Sequence, residues 1–593
     1  MNRILASLAL AISATAFAQE PAPNAELAKF FEDRFMEAMR ESPEQATFVG
    51  LNLANDKLSD LTPAGMERRR ALRKSALDSL QKFKSVPLNS QDRISRDMMI
   101  DSIERAEAGD AFFKGLPFAG DYADTWMPIS PIFGIQDIWT FLAKAAPFAT
   151  PKDYENYVKR LEAMAATLPV LTTRMRAAMT TGWMPPRSTL SSIPTRLAPF
   201  ADKDPTASPL YGPFKSYAKS IPESEHARLT EAGKKALGEK VNPAFAAFLA
   251  FFEKEYLPKA REDIAASTLP GGKAFYAHAV KTQTTTDLTP EQIHKIGLGE
   301  VARIRGEMDK VIASTGFKGT FAEFLVFLRS DPRFYYTKSE DLIAGYRDIA
   351  KRADAELPKF FAELPRLPYG IRPMEAHEGD NADHYSAGAL DGSRAGFYEA
   401  NSNNLKMRPK YDMEAVLLHE TVPGHHLQIA RAQELKGLPK FRRSGGYTAF
   451  SEGWGLYAES LGYEMGFYKD PYMHFGALSA EMLRACRLVI DTGVHALGWK
   501  RDQSIRYLAD NSGVHESFAI SEVDRYIVWP GQALGYKIGE LKIKELRAKA
   551  TQALGPKFDL RRFHNAVIDD GPLPLNLLEA RINEWITKEK GAP

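Results

Sequence analysis

Apolar residues return every three to four positions along most of the chain, as they do on the buried face of an amphipathic helix. The spacing is clear near the start, where Leu27, Phe31, Phe35 and Met39 would share one face. Proline-rich segments separate such stretches. The pattern predicts helices over residues 24–40, 63–83, 90–109, 151–181, 224–238, 243–262, 289–313, 320–329, 339–363, 476–497, 500–510, 520–528, 536–552, 558–568 and 574–588.

One interval departs from the helical pattern. Within residues 370–404 the neighbouring aromatic residues Phe397 and Tyr398 indicate a short strand. We therefore predict a mainly α-helical protein, with two lobes around a deep cleft and a small antiparallel β element. The lobes would span residues 19–285 and 286–593 and would act as one catalytic unit.

The chain starts with the three parts of a secretory signal peptide. Arg3 supplies the positive charge, residues 4–15 are apolar, and Ala16 and Ala18 form a small-x-small cleavage site. We predict cleavage after Ala18 and export to a periplasm or out of the cell. The apolar run is too short to span a bilayer and no later stretch reaches that length, so we expect no integral membrane segment after cleavage.

Composition changes this picture little but excludes some functions. Hydrophobic residues make up 44% of the chain and charged residues 26%, as in an ordinary globular protein. The net charge of +2 lacks the basic excess that drives nucleic-acid binding, so we expect no nucleic-acid partner. The only cysteine is Cys486, so the chain has no internal disulfide.

The segment with the clearest chemistry follows the apolar residues 415–418. His419 and Glu420 begin a pattern like the His-Glu-x-x-His of zinc peptidases, in which two histidines bind the ion and the glutamate is the general base. Here the next histidines are His425 and His426. In a straight helix His419 and His425 would differ by about 240° around the axis and about 9 Å along it, too far to share one ion.

The spacing from His419 to His425 is two residues longer than in His-Glu-x-x-His, and two residues between these histidines weaken the helix at that point. Pro423 has no N–H to donate to the carbonyl of His419, and Gly424 tolerates unusual backbone dihedral angles. We predict a widened turn here, as is common at functional sites. It would let His419 share a zinc ion with His425 or His426.

A third ligand is expected from Glu452, which lies 27 residues after His425 in a second helical stretch. Catalytic zinc is commonly bound by two histidines and one carboxylate, which leaves a position for water. Glu420 would then be the general base. Glu459, seven residues after Glu452, lies on the same helix face and could orient a ligand histidine, or it could be an ordinary solvated glutamate.

Three sequence blocks resemble those of known zinc peptidases. They are His-Glu-x-x-Pro-Gly-His-His-Leu-Gln at residues 419–428, Ser-Glu-Gly-Trp-x-x-Tyr at 451–457, and Arg-Tyr followed by Pro-Gly-Gln-Ala at 525–533. The first two, with their spacing, are similar to the blocks of the glutamate-ligand zincins, or gluzincins. The three together resemble a bacterial family known as domain of unknown function 885, and the resemblance covers most of the chain.

The resemblance implies roles for individual residues. In helical zinc peptidases the histidine that follows glycine binds the metal, so His425 is preferred as the second ligand and His426 would lie beside the site. In these peptidases a tyrosine from the part of the chain after the metal ligands stabilises the oxyanion of the tetrahedral intermediate. The resemblance gives this role to Tyr526, with Tyr536 as the alternative. Arg525 would contact a substrate carboxylate.

Gluzincins also place a strand along the cleft, where it pairs with extended substrate backbone, and the strand that contains Tyr398 would take this position. The resemblance and the motifs together predict an exported zinc metallopeptidase with one Zn²⁺ per chain, acting on short or unfolded peptides. One alternative is a zinc hydrolase of another amide or an ester, which would use the same chemistry. The other is a non-catalytic helical protein with a structural metal, although structural zinc is usually closed by four ligands, often cysteines.

Overall fold

The structure is a computed structural model and describes residues 20–119, 125–131, 134–374 and 382–591. The predicted signal peptide, residues 1–18, lies outside the described residues. Helices make up most of the described chain, as the hydrophobic pattern predicts. Short 3₁₀ turns, and π turns at Leu237–Val241 and Phe252–Tyr256, connect or extend some of them.

Before residue 286 the α-helices of the described chain are α1 (Ala25–Glu41), α2 (Pro43–Phe48), α3 (Pro63–Gln81), α4 (Ser90–Asp110), α5 (Ile135–Ala145), α6 (Pro151–Thr181), α7 (Arg187–Leu190), α8 (Ile193–Leu197), α9 (Glu223–Ala236), α10 (Asn242–Phe251) and α11 (Gly272–Thr284). After it they are α12 (Pro290–Ser314), α13 (Phe321–Ser330), α14 (Ser339–Phe360), α15 (Met413–Glu420), α16 (His425–Glu434), α17 (Lys440–Ser444), α18 (Thr448–Glu464), α19 (Pro471–Leu497), α20 (Arg501–Ser512), α21 (Glu516–Val528), α22 (Leu534–Leu554), α23 (Leu560–Ile568) and α24 (Leu575–Gly591). The long helices begin and end close to the predicted positions, whereas α5 and α11 were not predicted.

Local sequence explains where the helices begin and end. At the start of α6 the Thr150 hydroxyl accepts the N–H of Asp153, the Asp153 carboxylate accepts the N–H of Thr150, and Pro151 takes a position where no N–H is needed. The helix ends at Gly182, whose φ of 81° lies in the left-handed region that glycine adopts without strain. Capping boxes of the same kind begin α12 and α13.

The largest hydrophobic core joins the two halves of the chain. It contains Leu161 and Phe245 from the first half and Leu417 and Leu534 from the second, and all four are fully buried. A second core is formed mainly by α12, α13, α19 and α21. The helices that carry the candidate site are therefore held by apolar packing from distant parts of the sequence.

Helices α18 and α22 approach each other backbone to backbone. A Cβ on Gly453 of α18 would lie 2.5 Å from the Cα of Gly539 on α22, so neither position has room for a larger residue. This contact fixes the position of α18, which carries Glu452 and Glu459, against α22, which carries Tyr536.

The β element is a three-stranded sheet formed by β1 (Tyr369–Pro373), β2 (His384–Ser386) and β3 (Gly396–Ala400), in the order β1-β3-β2. Strand β3 pairs with β1 in parallel and with β2 antiparallel, and Tyr398 of β3 lies opposite Tyr385 of β2. The predicted strand at Phe397 and Tyr398 is thus confirmed. The expected small antiparallel β element is present as the β2–β3 pair, and the parallel pairing of β1 with β3 makes the sheet a mixed one with β3 at its centre.

These observations confirm a mainly α-helical fold with a small β element. Within the described ranges, none of the helices has both the length and the apolar character that crossing a membrane requires. The division into lobes near residue 285 stays a prediction.

Candidate metal centre

The histidine motif lies on two helices rather than on one distorted helix. Helix α15 ends at Glu420 and α16 begins at His425. Across the break the N–H of Leu427 donates to the carbonyl of Thr421, 3.3 Å away, and so spans six residues instead of the usual four. The break turns His425 towards His419, and the centroids of their rings are 4.7 Å apart.

Pro423 and Gly424 form this break through contacts with neighbouring groups. The carbonyl of Pro423 accepts the indole N–H of Trp454 on α18 at 2.8 Å. Gly424 lies so close to the end of α15 that a Cβ would be 1.9 Å from the His419 carbonyl oxygen. The segment between the two histidines is therefore held by α18 and depends on glycine at position 424.

We expect Gly424→Ala to lower the free energy of unfolding by about 1–3 kcal/mol, because the new methyl group overlaps a backbone oxygen that cannot move freely. Chemical denaturation followed by circular dichroism measures this change. Gly437→Ala is the control, since a Cβ there meets nothing within 4 Å. Equal unfolding midpoints for the two variants would contradict the close contact.

The ring nitrogens of the two histidines converge on one carboxylate oxygen. The Nε2 atoms of His419 and His425 each lie 3.4 Å from Oε2 of Glu452. Donor atoms bound tetrahedrally at about 2.1 Å from a zinc ion are themselves about 3.4 Å apart. The three side chains therefore fit a zinc ion by donor type and by spacing.

A second carboxylate lies next to the same histidines. Ligand atoms of His419, Glu420 and His425 all fall within 4.8 Å of one another. Oε2 of Glu420 accepts the backbone N–H of Tyr385 in β2 at 2.8 Å. Glu452 lies 3.4 Å from both ring nitrogens and Glu420 is held towards the sheet, so both carboxylates are close enough to the histidines to be metal ligands.

The second ring nitrogen of His419 has its own partner. Its Nδ1 donates to Oε1 of Glu459 at 2.8 Å, and Nη2 of Arg484 lies 3.1 Å from the same oxygen. Glu459 is buried, so it is not a solvated helix glutamate. With a proton held on Nδ1 by Glu459, Nε2 is the ring nitrogen of His419 that would bind a metal, after it loses its own proton.

Burial disfavours the charged form of His419, but the Glu452 and Glu459 carboxylates outweigh burial and raise the pKa of His419 to about 9. Burial likewise opposes ionisation of Glu452, yet His419 and His425 hold its pKa well below the usual range. The pocket therefore favours positive charge at the point where the three side chains meet. A divalent cation would supply that charge without a proton on His419.

We expect Glu459→Gln to weaken zinc binding by about 10–100-fold, because it removes the charge that orients and polarises His419. Competition with a chromophoric chelator measures the affinity. Glu464→Gln is a matched control on the same helix, where the carboxylate pairs with Arg547 at the surface. A change no larger than in the control would mean that Glu459 does not act through the metal.

His426 makes different contacts from His425. Its Nδ1 lies 2.9 Å from the hydroxyl of Tyr385, and its ring packs on Tyr369 with centroids 4.6 Å apart. Burial lowers the pKa of His426 to about 4, so the ring is neutral. His426 thus packs against the sheet and holds Tyr385, the residue whose N–H binds Glu420.

The sequence profile described as "Bacterial protein of unknown function (DUF885)" matches residues 43–582. The chain belongs to the DUF885 family. No curated protein matches its sequence.

Two solved structures share the DUF885 fold seen here. A "putative lipoprotein" from Colwellia psychrerythraea has 30% identity and a TM-score of 0.87, with 95% of this chain and 99% of that chain covered. A "putative lipoprotein of unknown function" from Shewanella oneidensis has 17% identity and a TM-score of 0.70, with 94% and 99% covered, which shows the fold alone. A "putative oligoendopeptidase F" from Bacillus anthracis gives a TM-score of 0.25 at 13% identity, too low to support any argument.

Tyr526 and Tyr536 of this DUF885 chain lie in different surroundings, and it is Tyr536 that lies beside His419. The Tyr536 ring stacks at 6.5 Å from the His419 ring and is partly exposed. Tyr526 is fully buried, and its hydroxyl donates to Glu522 at 2.7 Å and accepts from Arg487 at 3.2 Å. Tyr536, the alternative from sequence, is therefore the tyrosine beside the candidate metal centre, and Tyr526 belongs to the core.

Tyr398 is not available to a substrate. It is fully buried, and its hydroxyl donates to Asp383 at 2.6 Å. Its strand β3 is paired on both edges, with β1 and with β2. The backbone N–H that binds Glu420 belongs to Tyr385 in the outer strand β2. Tyr385 lies at the end of a polar stretch with no strand pattern, so the sequence does not indicate its contact with Glu420.

Arg525 lies close to Tyr536 but is already paired. Its Nε and Nη2 lie 3.1 and 3.0 Å from the two carboxylate oxygens of Glu522. Its Cζ is 6.0 Å from the Tyr536 ring centroid. The Cζ of Arg487 in α19, which the sequence pattern does not mark as a site residue, is closer to this centroid, at 4.2 Å.

Proposed function

We propose that this DUF885 protein is a zinc-dependent hydrolase of peptide bonds. The observation that carries the proposal is the convergence of Nε2 of His419 and Nε2 of His425 on Oε2 of Glu452, each at 3.4 Å. A carboxylate oxygen of Glu420 lies within 4.8 Å of the ring nitrogens of His419 and His425, and we assign Glu420 to the general base rather than to the ligands. Two histidines, one carboxylate ligand and an adjacent free carboxylate are the donor set of a catalytic zinc site that keeps one position open.

Each of these side chains has a chemical role in the proposal. His419, His425 and Glu452 would hold the zinc ion, with Glu459 fixing the orientation of His419. When bound, zinc lowers the pKa of a water molecule and polarises the carbonyl of the scissile bond. Glu420 would take the proton from that water and deliver it to the leaving amine.

Two contacts support Glu420 and Tyr536 in these roles. The Tyr385 N–H holds the Glu420 carboxylate and keeps it beside the ligand histidines. Burial raises the pKa of the Tyr536 phenol and Glu452 raises it further, although Arg525 and Arg487 oppose the effect. Tyr536 would therefore stay protonated at neutral pH and donate its O–H to the oxyanion that forms during hydrolysis.

Access to the centre supports short or unfolded substrates. The side chains of His425 and Glu452 are only 13% and 22% exposed, so an extended chain reaches them more easily than a folded surface does. A zinc hydrolase of another amide or of an ester would use the same residues, and substrate tests separate these cases. A closed structural site is disfavoured because such sites are usually completed by four protein ligands, often cysteines, and the only cysteine, Cys486, is buried in the second core.

Export is part of the proposal. The first residues have the three parts of a signal peptide, and the Colwellia and Shewanella structures are both described as putative lipoproteins. We infer that the protein acts on peptides outside the cytoplasm.

The proposal is tested by digesting a mixture of unstructured peptides with the purified protein and reading the products by mass spectrometry. We expect cleavage that stops when a chelator removes the metal and returns when zinc is added back. Cleavage that a chelator leaves unchanged would exclude a metal mechanism. Uncut peptides, together with zinc-dependent hydrolysis of esters, would favour the alternative hydrolase.

A further inference from the structure

A buried cation lies over the face of the Tyr536 ring. The Cζ of Arg487 in α19 is 4.2 Å from the centroid of that ring, within the distance at which a guanidinium group is attracted to an aromatic face. This attraction is strongest where water is excluded, and the Arg487 side chain is only 7% exposed. The contact joins Arg487 to the residue that would stabilise the oxyanion.

Two neighbouring residues hold the Arg487 guanidinium in place. Its Nε and Nη2 donate to Oε2 of Glu522 at 3.2 and 2.8 Å, and Nε also donates to the Tyr526 hydroxyl at 3.2 Å. The Tyr526 hydroxyl in turn donates to the same Glu522 oxygen at 2.7 Å. Arg487, Glu522 and Tyr526 are all buried, so the guanidinium has little freedom to move away from the Tyr536 ring.

The ion pair with Glu522 does not satisfy the whole guanidinium group. Nη1 of Arg487 is buried and has no hydrogen-bond partner among the residues that the structure describes. An unpaired charged donor is costly to bury, and a buried ion pair is often no more stable than apolar side chains of similar size. The electron-rich face of Tyr536 offsets part of this cost. The contact with Tyr536 therefore explains the position of Arg487 better than the ion pair alone does.

The same contact restrains the motion that would move the Tyr536 hydroxyl. A tyrosine side chain can rotate about its Cα–Cβ bond between staggered positions, and this rotation swings the hydroxyl away from its place. Tyr536 is only partly buried, so the surrounding packing leaves it room to rotate. A planar cation held against the ring face blocks that rotation. A donor stabilises an oxyanion most when it is already in position before the charge forms.

We propose that Arg487 is a positioning residue that holds the Tyr536 ring with its hydroxyl towards the metal centre. Glu522 and Tyr526 fix the guanidinium, the guanidinium fixes the ring, and the Tyr536 O–H then meets the oxyanion without a further rearrangement. Arg487 itself touches no reacting atom. The inference rests on the proposed peptidase function and on the role of Tyr536 in it.

Substitutions at two positions test whether Arg487 acts through Tyr536. Tyr536→Phe removes the oxyanion donor and should lower kcat by about 10²–10³-fold. Arg487→Met keeps an unbranched apolar side chain but removes the cation. We expect it to lower kcat by about 2–30-fold, the range of a cation–π contact, with KM little changed because Tyr536 acts only in the transition state.

The double variant separates positioning from a general structural role. In the Tyr536→Phe background, Arg487→Met should lower kcat no further, because the hydroxyl that Arg487 positions is already gone. A fall of equal size in both backgrounds would mean that Arg487 only supports the fold, and it would overturn the proposal. An unchanged kcat for Arg487→Met in the parent background would overturn it as well.

The position of the Tyr536 ring is a second readout, which needs neither zinc nor activity. In a crystal structure of the metal-free Arg487→Met variant we expect the Tyr536 side chain to be displaced or disordered, while the rings of His419 and His425 keep their positions. A well-ordered Tyr536 ring in its original position would refute the positioning role.

Two further variants protect the test against misfolding. Arg487→Lys replaces Arg487→Met if the latter does not fold. Lysine keeps the charge but lacks the planar group that stacks on Tyr536 while it pairs with Glu522, so kcat should again fall only when the Tyr536 hydroxyl is present. Arg501→Gln is the control, since it breaks another arginine–carboxylate pair to α21, with Asp524 at 2.7 Å, and should keep kcat.

Failure of this role can be told apart from failure of the proposed function. If the zinc-loaded parent cleaves no peptide, the peptidase function is refuted and the role of Arg487 with it. If the parent cleaves peptides and Tyr536→Phe keeps its kcat, the roles of Tyr536 and Arg487 are refuted and the zinc hydrolase is not. If Tyr536→Phe loses activity but the Arg487 effect is the same in both backgrounds, only the role of Arg487 is refuted.

Discussion

Glu420→Gln is expected to lower kcat by about 10²–10⁴-fold, the usual contribution of a general base, while zinc content and fold stay unchanged. The glutamine amide has nearly the same shape and still accepts the Tyr385 N–H, which in the parent is 2.8 Å from Oε2 of Glu420. It cannot take a proton from water at neutral pH, so only the chemical step is lost. Steady-state kinetics on a cleaved peptide, with zinc measured on the same sample, provide the test.

A matched variant shows whether the effect belongs to this carboxylate. Glu414→Gln removes a carboxylate from the same helix, where it accepts the Tyr468 N–H and pairs with Arg352. We expect it to keep kcat within a few-fold of the parent. Near-normal turnover by Glu420→Gln would show that another residue is the base.

The second large effect is a loss of bound zinc, which is expected when one of the proposed ligands is replaced. His425→Ala should lose stoichiometric zinc, because it removes one of the two ring nitrogens that lie 3.4 Å from Oε2 of Glu452. His419→Ala and Glu452→Ala should do the same. The loss of zinc affinity in these variants should exceed the ~10–100-fold loss expected for a residue that only orients a ligand. Elemental analysis after dialysis, followed by titration with zinc, measures it.

His426→Ala is the control for this experiment, since it differs by one position in the sequence. His426 faces Tyr385 and Tyr369 rather than Glu452, so the variant should still bind one zinc ion per chain. We expect its activity to fall, because Tyr385 then loses a contact that holds it next to Glu420. Loss of zinc from His426→Ala but not from His425→Ala would reverse the ligand assignment.

Much of the fold follows from sequence because helix signals are local. The spacing of apolar residues gives the long helices, and Thr150 with Asp153 marks the start of one of them. Proline and glycine at 423 and 424 indicate a distortion, but not that the helix ends there. That depends on Trp454, which binds the Pro423 carbonyl from another helix.

The sequence does not predict the contacts that bring distant segments together at the site. Tyr526 lies within the block at residues 525–533 and Tyr536 follows it three residues later, and only the packing of α22 against α18 puts Tyr536 beside His419. Arg487 lies in an apolar helical stretch that predicts core, and Tyr385 lies in a polar stretch that predicts loop. Single-sequence patterns carry no information about which of these segments meet.

X-ray diffraction on either side of the zinc absorption edge tests directly whether His419, His425 and Glu452 bind a zinc ion. From crystals of the zinc-loaded protein we predict one anomalous peak, about 2.0–2.2 Å from Nε2 of each histidine and from a Glu452 carboxylate oxygen. A peak bound by other residues, or none at these three, would contradict the proposed metal centre.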